Sequence, residues 1–218
     1  IGSPHLLMLS GIGPGERLKG LGIHVVQNLI GVGQNLWNHA RLHVQFRARN
    51  IHRDPHAPFV QVGLRYTAPG SSTRNDMLLE PSRSLAQDGQ SYLLAIGTAL
   101  RKPSTAGQLR LTSSDPQIQP SLDYQLLSSP WDLERMRHGV RLAVRLGRHE
   151  ALQAVGASLL SPSEEELVND GKLDKWILKN IRTQFHDAGT CKMGPAADTS
   201  AVLDQYCSVR GTRGLRVA

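Results

Sequence analysis

Cysteine is nearly missing from this chain. Its two thiols, Cys191 and Cys207, in 218 residues build no disulfide framework. Reduced thiols are what a cytoplasmic protein carries by default, so a cytoplasmic location is the expectation. Long apolar runs are missing as well: none approaches the ~20 residues of a membrane span. Aromatic residues make up only 5% of the chain and form no RNA-binding signature. The net charge of +7 comes from Arg and Lys scattered singly, which reads as a solvated basic surface that also attracts anionic ligands rather than as a nucleic-acid stripe. Nine histidines are present; His39/His43 and His52/His56 are spaced as H-x-x-x-H, but neither pair forms an H-E-x-x-H or Cys/His zinc pattern, and no metal site is expected. There is no internal repeat and no low-complexity linker. The sequence opens on Ile1-Gly2-Ser3-Pro4, with no Met and no signal-peptide pattern at that point, and breaks off just after Leu215-Arg216-Val217. Both ends lead us to expect a piece of a longer polypeptide.

What remains is a globular composition, 39% apolar and 20% charged, enough for one domain or a large domain with a satellite. Residues 3–9 predict a short helix with Ser3 as N-cap and Pro4 in its first turn. A second short helix is expected near 15–20, a brief strand at Val25-Val26, and a loop over Gly31-Val32-Gly33-Gln34-Asn35-Leu36, where glycines and Asn favour positive φ. From 42 to 124 the period is two. Leu42, Val44 and Phe46 alternate with polar residues, as do Val60, Val62, Leu64 and Tyr66. Met77 to Leu79, Tyr92 to Ile96, and Leu109 with Leu111 supply further strands. After 130 the period turns helical. Leu133, Met136, Val140, Ala143 and Val144 share one face, Ser163 to Glu166 reads as a capping box, and Leu173, Trp176, Ile177 and Ile181 mark a third helix. The fold class is therefore α+β: an antiparallel sheet of five or six strands with helices packed on one face.

Two glycine clusters, Gly11-x-Gly13-x-Gly15 and Gly31-x-Gly33, invite a dinucleotide-binding reading. That reading needs a strand before and a long helix after, within a βαβ unit, and neither cluster offers both. Turn glycines are the better reading. The stretch Phe185-His186-Asp187-Ala188-Gly189-Thr190-Cys191-Lys192-Met193-Gly194 is more informative. It sets a histidine, a candidate base near neutral pH, beside a small-residue turn and a thiol. No third residue can be named to orient a Cys191–His186 couple, so Cys191 is expected to pack as a small hydrophobe. Met193, Leu133 and Met136 are expected in the core, and His24, His43, His52 and His56 at the surface.

The His186 stretch resembles the H-x-x-G-T-C-x-M-G motif of the glucose–methanol–choline (GMC) flavoprotein oxidoreductases. Gly2 to Pro14 resembles that family's second signature, and Gly31-Val32-Gly33-Gln34-Asn35-Leu36-x-Asn38-His39 resembles its G-V-G-x-N-L-x-D-H loop. At position 38 the usual Asp is Asn, and Ala40 stands where Pro is usual. Gly107-Gln108-Leu109-Arg110-Leu111 with Asp115-Pro116, Pro120 and Tyr124, the helix opening at Asp132-Leu133, and Gly211-x-x-Gly214-Leu215-Arg216-Val217 continue the resemblance in family order. It is thinnest over about 47–103. The resemblance implies the C-terminal portion of an FAD-dependent enzyme that oxidises a CH–OH group to a carbonyl, choline dehydrogenase-like in class. His186 is implied as the catalytic base, and Gly33, Asn35, Leu36, Asn38 and His39 as cofactor-side residues. His39 either contacts the cofactor or caps local backbone. The second catalytic residue is implied beyond Ala218. The implied partners are a small alcohol and an electron acceptor, oxygen or quinone-like, with no nucleic acid. The implied domains are 1–40, part of an FAD-binding α/β domain; 41–182, the substrate-binding domain; and 183–218, a return to the flavin domain with the active-site His. The isolated chain is expected to hold FAD weakly and to be inactive. The alternative from another class is a non-catalytic ligand- or partner-binding module built on the sheet.

Overall fold

The computed structural model describes residues 1–49, 56, 58, 61–85 and 92–218. Val60 and His52 lie outside this set. The chain divides into two compact units: residues 1–38, 105–125 and 185–218 form one, and 39–104 with 126–184 the other. The expected blocks differ from this division by two residues at each outer boundary, 39–40 and 183–184 falling in the second unit, and by one whole segment. Residues 105–125, placed by sequence inside the 41–182 block, belong with the first unit, because Leu109 and Leu111 bury themselves in its core.

In the first unit, helix α1 (Gly2–Leu9) leads into strand β1 (Ile12–Gly13), helix α2 (Gly15–Gly20) and strand β2 (Gln27–Asn28), which pairs parallel to β1. Helix α1 begins at Gly2 with no side-chain cap, so Ser3 is not the N-cap. The brief strand falls at Gln27–Asn28 rather than at Val25-Val26. Strand β3 (Gln34–Leu36) stands where a loop was expected; it pairs antiparallel with β8 (Gly107–Arg110), which pairs in turn with β9 (Ser121–Asp123). Leu7, Met8, Leu18, Val32, Leu109, Leu111, Val202 and Val209 form this unit's core.

The second unit is the expected antiparallel sheet with helices on one face. Its long strands are β4 (Ala40–Ala48), β6 (Met77–Leu85) and β7 (Tyr92–Leu100), flanked by β5 (Leu64–Tyr66), β10 (Ser158–Ser161) and β11 (Arg182–Thr183). The order is β10-β4-β7-β6-β5, with β11 also on β4. Period two decides which side is dry: Ala40, Leu42, Val44, Phe46 and Ala48 are all buried toward the helices, while His43 and Arg47 between them are exposed. Helix α3 (Pro130–Gly147) lays Met136, Val140, Ala143 and Val144 onto that face, and α6 (Asp170–Asn180) adds Leu173, Trp176 and Ile177. Short helices α4 (Glu150–Gln153) and α5 (Glu164–Leu167) lie between them in sequence. The capping box forms as read. Ser163 Oγ accepts from Glu166 N at 3.3 Å, and Glu166 Oε2 accepts from Ser163 N at 2.7 Å.

One polar cluster crosses this core. Arg135, 3% exposed, donates to Asp76 Oδ2 at 2.7 Å, to Asp132 Oδ1 at 2.5 Å and to the Lys102 carbonyl at 3.0 Å. Asp76 also accepts from Ala68 N, and Asp132 from Ser104 N and Oγ. The pairing lets buried charges persist, since a lone buried ion is very costly.

Candidate active site

Within the first unit, two segments are stitched side by side. Gly33 N donates to the Thr190 carbonyl at 2.9 Å. Trp37 and Ala188 exchange both backbone hydrogen bonds, at 2.9 and 3.0 Å. Side chains add a second row: Asn35 Nδ2 donates to the Gly189 carbonyl at 3.2 Å, and Trp37 Nε1 donates to Asn35 Oδ1 at 2.7 Å. Gly189 is required here. Its φ is +88°, and a Cβ would sit 2.3 Å from the Asn35 carbonyl oxygen. The small residue in the motif is therefore what lets the two segments close.

His186 sits at one end of this ladder. Its side chain is exposed, and its backbone N–H donates to Asn38 Oδ1 at 3.3 Å. Asn38 is buried, and its Nδ2 donates to Asp187 Oδ1 at 2.8 Å. Phe185, immediately before, is 83% exposed with φ of +60°, a conformation that is strained for a bulky residue and is found most often where surrounding structure holds a functional loop. The arrangement presents an imidazole to solvent from a backbone that is tied down on both sides, the geometry a general base needs.

The expected cofactor-side residues fall as follows. Gly33, Leu36 and Asn38 are buried, so any part they play in holding a cofactor is played through the shape of the loop. Asn35, with φ of +61°, and His39 are half-buried and keep exposed surface. His39 falls at the start of the second unit, where its carbonyl accepts from Gln184 N at 3.1 Å. Asn35 and Trp37, uncharged and only half-buried, fit the flavin end of an FAD. The first glycine cluster offers no phosphate cradle. A Cβ at Gly11 would meet the His24 carbonyl at 2.3 Å and one at Gly13 would meet Met8 at 2.8 Å, so these glycines serve internal packing, and the Gly15 N–H is taken by Asn28 Oδ1.

Cys191 packs against the first unit's core, and burial pushes its thiol up to about 11. A thiol that stays protonated at neutral pH is a poor nucleophile, which agrees with the packing reading. Met193 is a correction: at 47% exposed it is not core. His24, His43 and His56 are exposed as expected. Sequence reasoning missed the Asn38–Asp187 contact and the Asn35–Gly189 latch. The departure at position 38 signalled the first; nothing local signalled the second. A surface hollow of about 450 Å³ in the second unit, lined by Trp131, Arg137, His138, Arg141 and Asp170 among others, includes none of the expected site residues. No helix among the described residues is long and apolar enough to cross a membrane.

Residues 103–218 match the family model described as GMC oxidoreductase. The chain belongs to the GMC oxidoreductase family. It is 32% identical to a 5-(hydroxymethyl)furfural oxidase from Methylovorus sp. (strain MP688), over 99% of this chain and 43% of that protein. It is 30% identical to an oxygen-dependent choline dehydrogenase from Rhizobium etli, over 99% of this chain and 44% of that one. Among solved structures, a formate oxidase from Aspergillus oryzae superposes with a TM-score of 0.83 at 22% identity, covering 100% of this chain and 47% of that one; this likeness speaks for the fold. The chain thus spans less than half the length of the curated relatives it matches.

Proposed function

We propose that this chain carries the base-bearing portion of an FAD-dependent oxidoreductase that converts a CH–OH group to a carbonyl. The first unit belongs with the flavin domain, and the second is the substrate domain. When bound, FAD supplies the acceptor for the hydride that leaves the alcohol carbon. His186 takes the hydroxyl proton, Asn38 and the Ala188–Trp37 bridge hold its backbone, and Asn35 with the rest of the 31–38 loop flanks the cofactor. The substrate is a small alcohol; no aromatic cage for a quaternary ammonium is recognisable in the sequence, which favours an uncharged one. Oxygen is the favoured electron acceptor over a quinone, because the relatives are named as an oxidase and an oxygen-dependent dehydrogenase. The reduced thiols favour a cytoplasmic setting.

The observation that carries this reading is the exposed imidazole of His186 on an anchored loop, in a chain of this family. The test is His186→Ala and His186→Gln in the longer, flavin-loaded polypeptide that carries this chain, since the isolated chain is expected to retain no FAD. A general base contributes about 10²–10⁴ in rate, so turnover should fall by that factor while flavin absorbance is retained. Turnover within a few-fold of the parent in both variants would remove His186 from the chemistry.

A further inference from the structure

Asp187 is the charged neighbour of His186 that the proposed reaction leaves unused. Its Oδ1 accepts from Asn38 Nδ2 at 2.8 Å, while Asn38 Oδ1 accepts the His186 backbone N–H at 3.3 Å. One amide therefore reads two consecutive residues, one with each of its ends. Its orientation is fixed by the partners, since only nitrogen can face a carboxylate and only oxygen can face an N–H. Asn38 is 3% exposed, so the amide works where water does not compete. A carboxylate at position 38 would still accept from His186, but it has no proton to give. It would set two negative charges at hydrogen-bond distance, and such a pair cannot both stay ionised comfortably.

We propose that Asn38 and Asp187 are a matched pair that positions His186, with the negative charge held on residue 187 and a neutral two-way reader at 38. The proposal rests on the reading of His186 as the base. It makes Asn38 and Asp187 positioning residues, acting through the loop. The facing segments contribute Asn35, Trp37 and Asn38 from one side and His186, Asp187, Ala188 and Gly189 from the other. His186 and Asp187 are the titratable groups in that set. His39, next to Asn38 in sequence, is a further titratable neighbour, and the double variant below separates the pairing of 38 with 187 from histidine titration.

The test is hydrogen exchange of the His186 backbone amide by NMR in the 218-residue chain, expressed as protection relative to intrinsic exchange. The parent, Asn38→Asp, and Asn38→Asp combined with Asp187→Asn are compared. Asn38→Asp should lose about tenfold in protection at pH 7, the equivalent of one net hydrogen bond. Protection should return on acidification, once the two carboxylates share a proton. It should also return at pH 7 in the double variant, where amide and carboxylate have exchanged places. The Leu109 amide, which donates to the Gly33 carbonyl, reports on the fold of the unit. If that amide is lost too in Asn38→Asp, the double variant decides: recovery supports the pair and persistent loss overturns it. Unchanged protection in Asn38→Asp, or a loss that neither acid nor the second substitution relieves, also overturns it. A dispensable His186 together with the expected exchange pattern would leave the pair standing and remove only the base assignment.

Discussion

Arg135 holds two buried carboxylates at once, and through Asp76 it couples the second unit's stability to pH. Burial alone would raise the Asp76 carboxyl, but the Ala68 N–H, Arg135 and Ser71 more than offset it and hold it below its ordinary 3.8. A depressed folded-state value means the unfolded chain takes up the proton first. The stabilisation is then complete above the carboxylate range and is lost as pH falls through 3.8 toward the folded value. Thermal melts should therefore be flat near neutrality and decline below about pH 4. Asp76→Asn should be destabilised at neutral pH by about 3–5 kcal/mol, because Arg135 loses a buried partner, and its acid decline should be shallower than that of the parent. An equal acid slope in the two proteins would show that the cluster does not govern it. The residue scale is also where sequence and structure part most instructively. The segment around His186 stood out in the sequence because its residues are contiguous. The bond from Asn38 to Asp187 joins positions 149 apart, and no local pattern encodes which way a buried amide points.

Elements were legible where local chemistry decides them. The capping box at Ser163 is a four-residue device, and the α3 stripe repeats at helical spacing over its whole length. Strand β3 was hidden, because Gly31, Gly33 and Asn35 send turn signals while pairing with Gln108 and Gly107 makes the strand. The close seat of α3 was hidden for a related reason: glycines inside a helix look like weaknesses until the neighbouring sheet is seen. A Cβ at Gly147 would fall 2.0 Å from Phe46 Cζ, and Phe46 is fully buried with nowhere to yield. Gly147 is the last residue of α3, where the propensity gain of Ala over Gly is smaller than the ~1 kcal/mol of a helix interior. Overpacking costs about 1–3 kcal/mol and should win, so Gly147→Ala should lower the urea midpoint. Gly171→Ala in α6 is the control, because its Cβ would approach only Asn169 Oδ1, at 3.6 Å, and it should be neutral or stabilising. Equal midpoints for the two variants would mean that α3 does not sit this close to β4.

At the scale of the whole molecule, the two-unit division was partly legible. The switch from period two to helical period marked the second unit, and motif order marked the ends. The excursion of residues 105–125 was not legible, since Leu109 and Leu111 look like any sheet residues until their partners Met8, Val32 and Val202 are known. That division bears directly on cofactor retention. A flavin dinucleotide needs a phosphate cradle as well as a flavin wall, and such cradles are built from glycines whose N–H groups point at the ligand. Here Gly11 and Gly13 are pressed against His24 and Met8, and the Gly15 N–H is already bonded to Asn28. The chain also spans only 43% of the length of the furfural oxidase it resembles. Purified protein mixed with FAD and then freed of excess should therefore be colourless, with no visible flavin bands after desalting. The check is an absorption spectrum read against protein concentration. Stoichiometric bands would mean that the loop at 31–38 and the His186 segment hold the cofactor without a separate phosphate site, and alcohol turnover could then be assayed on this chain directly.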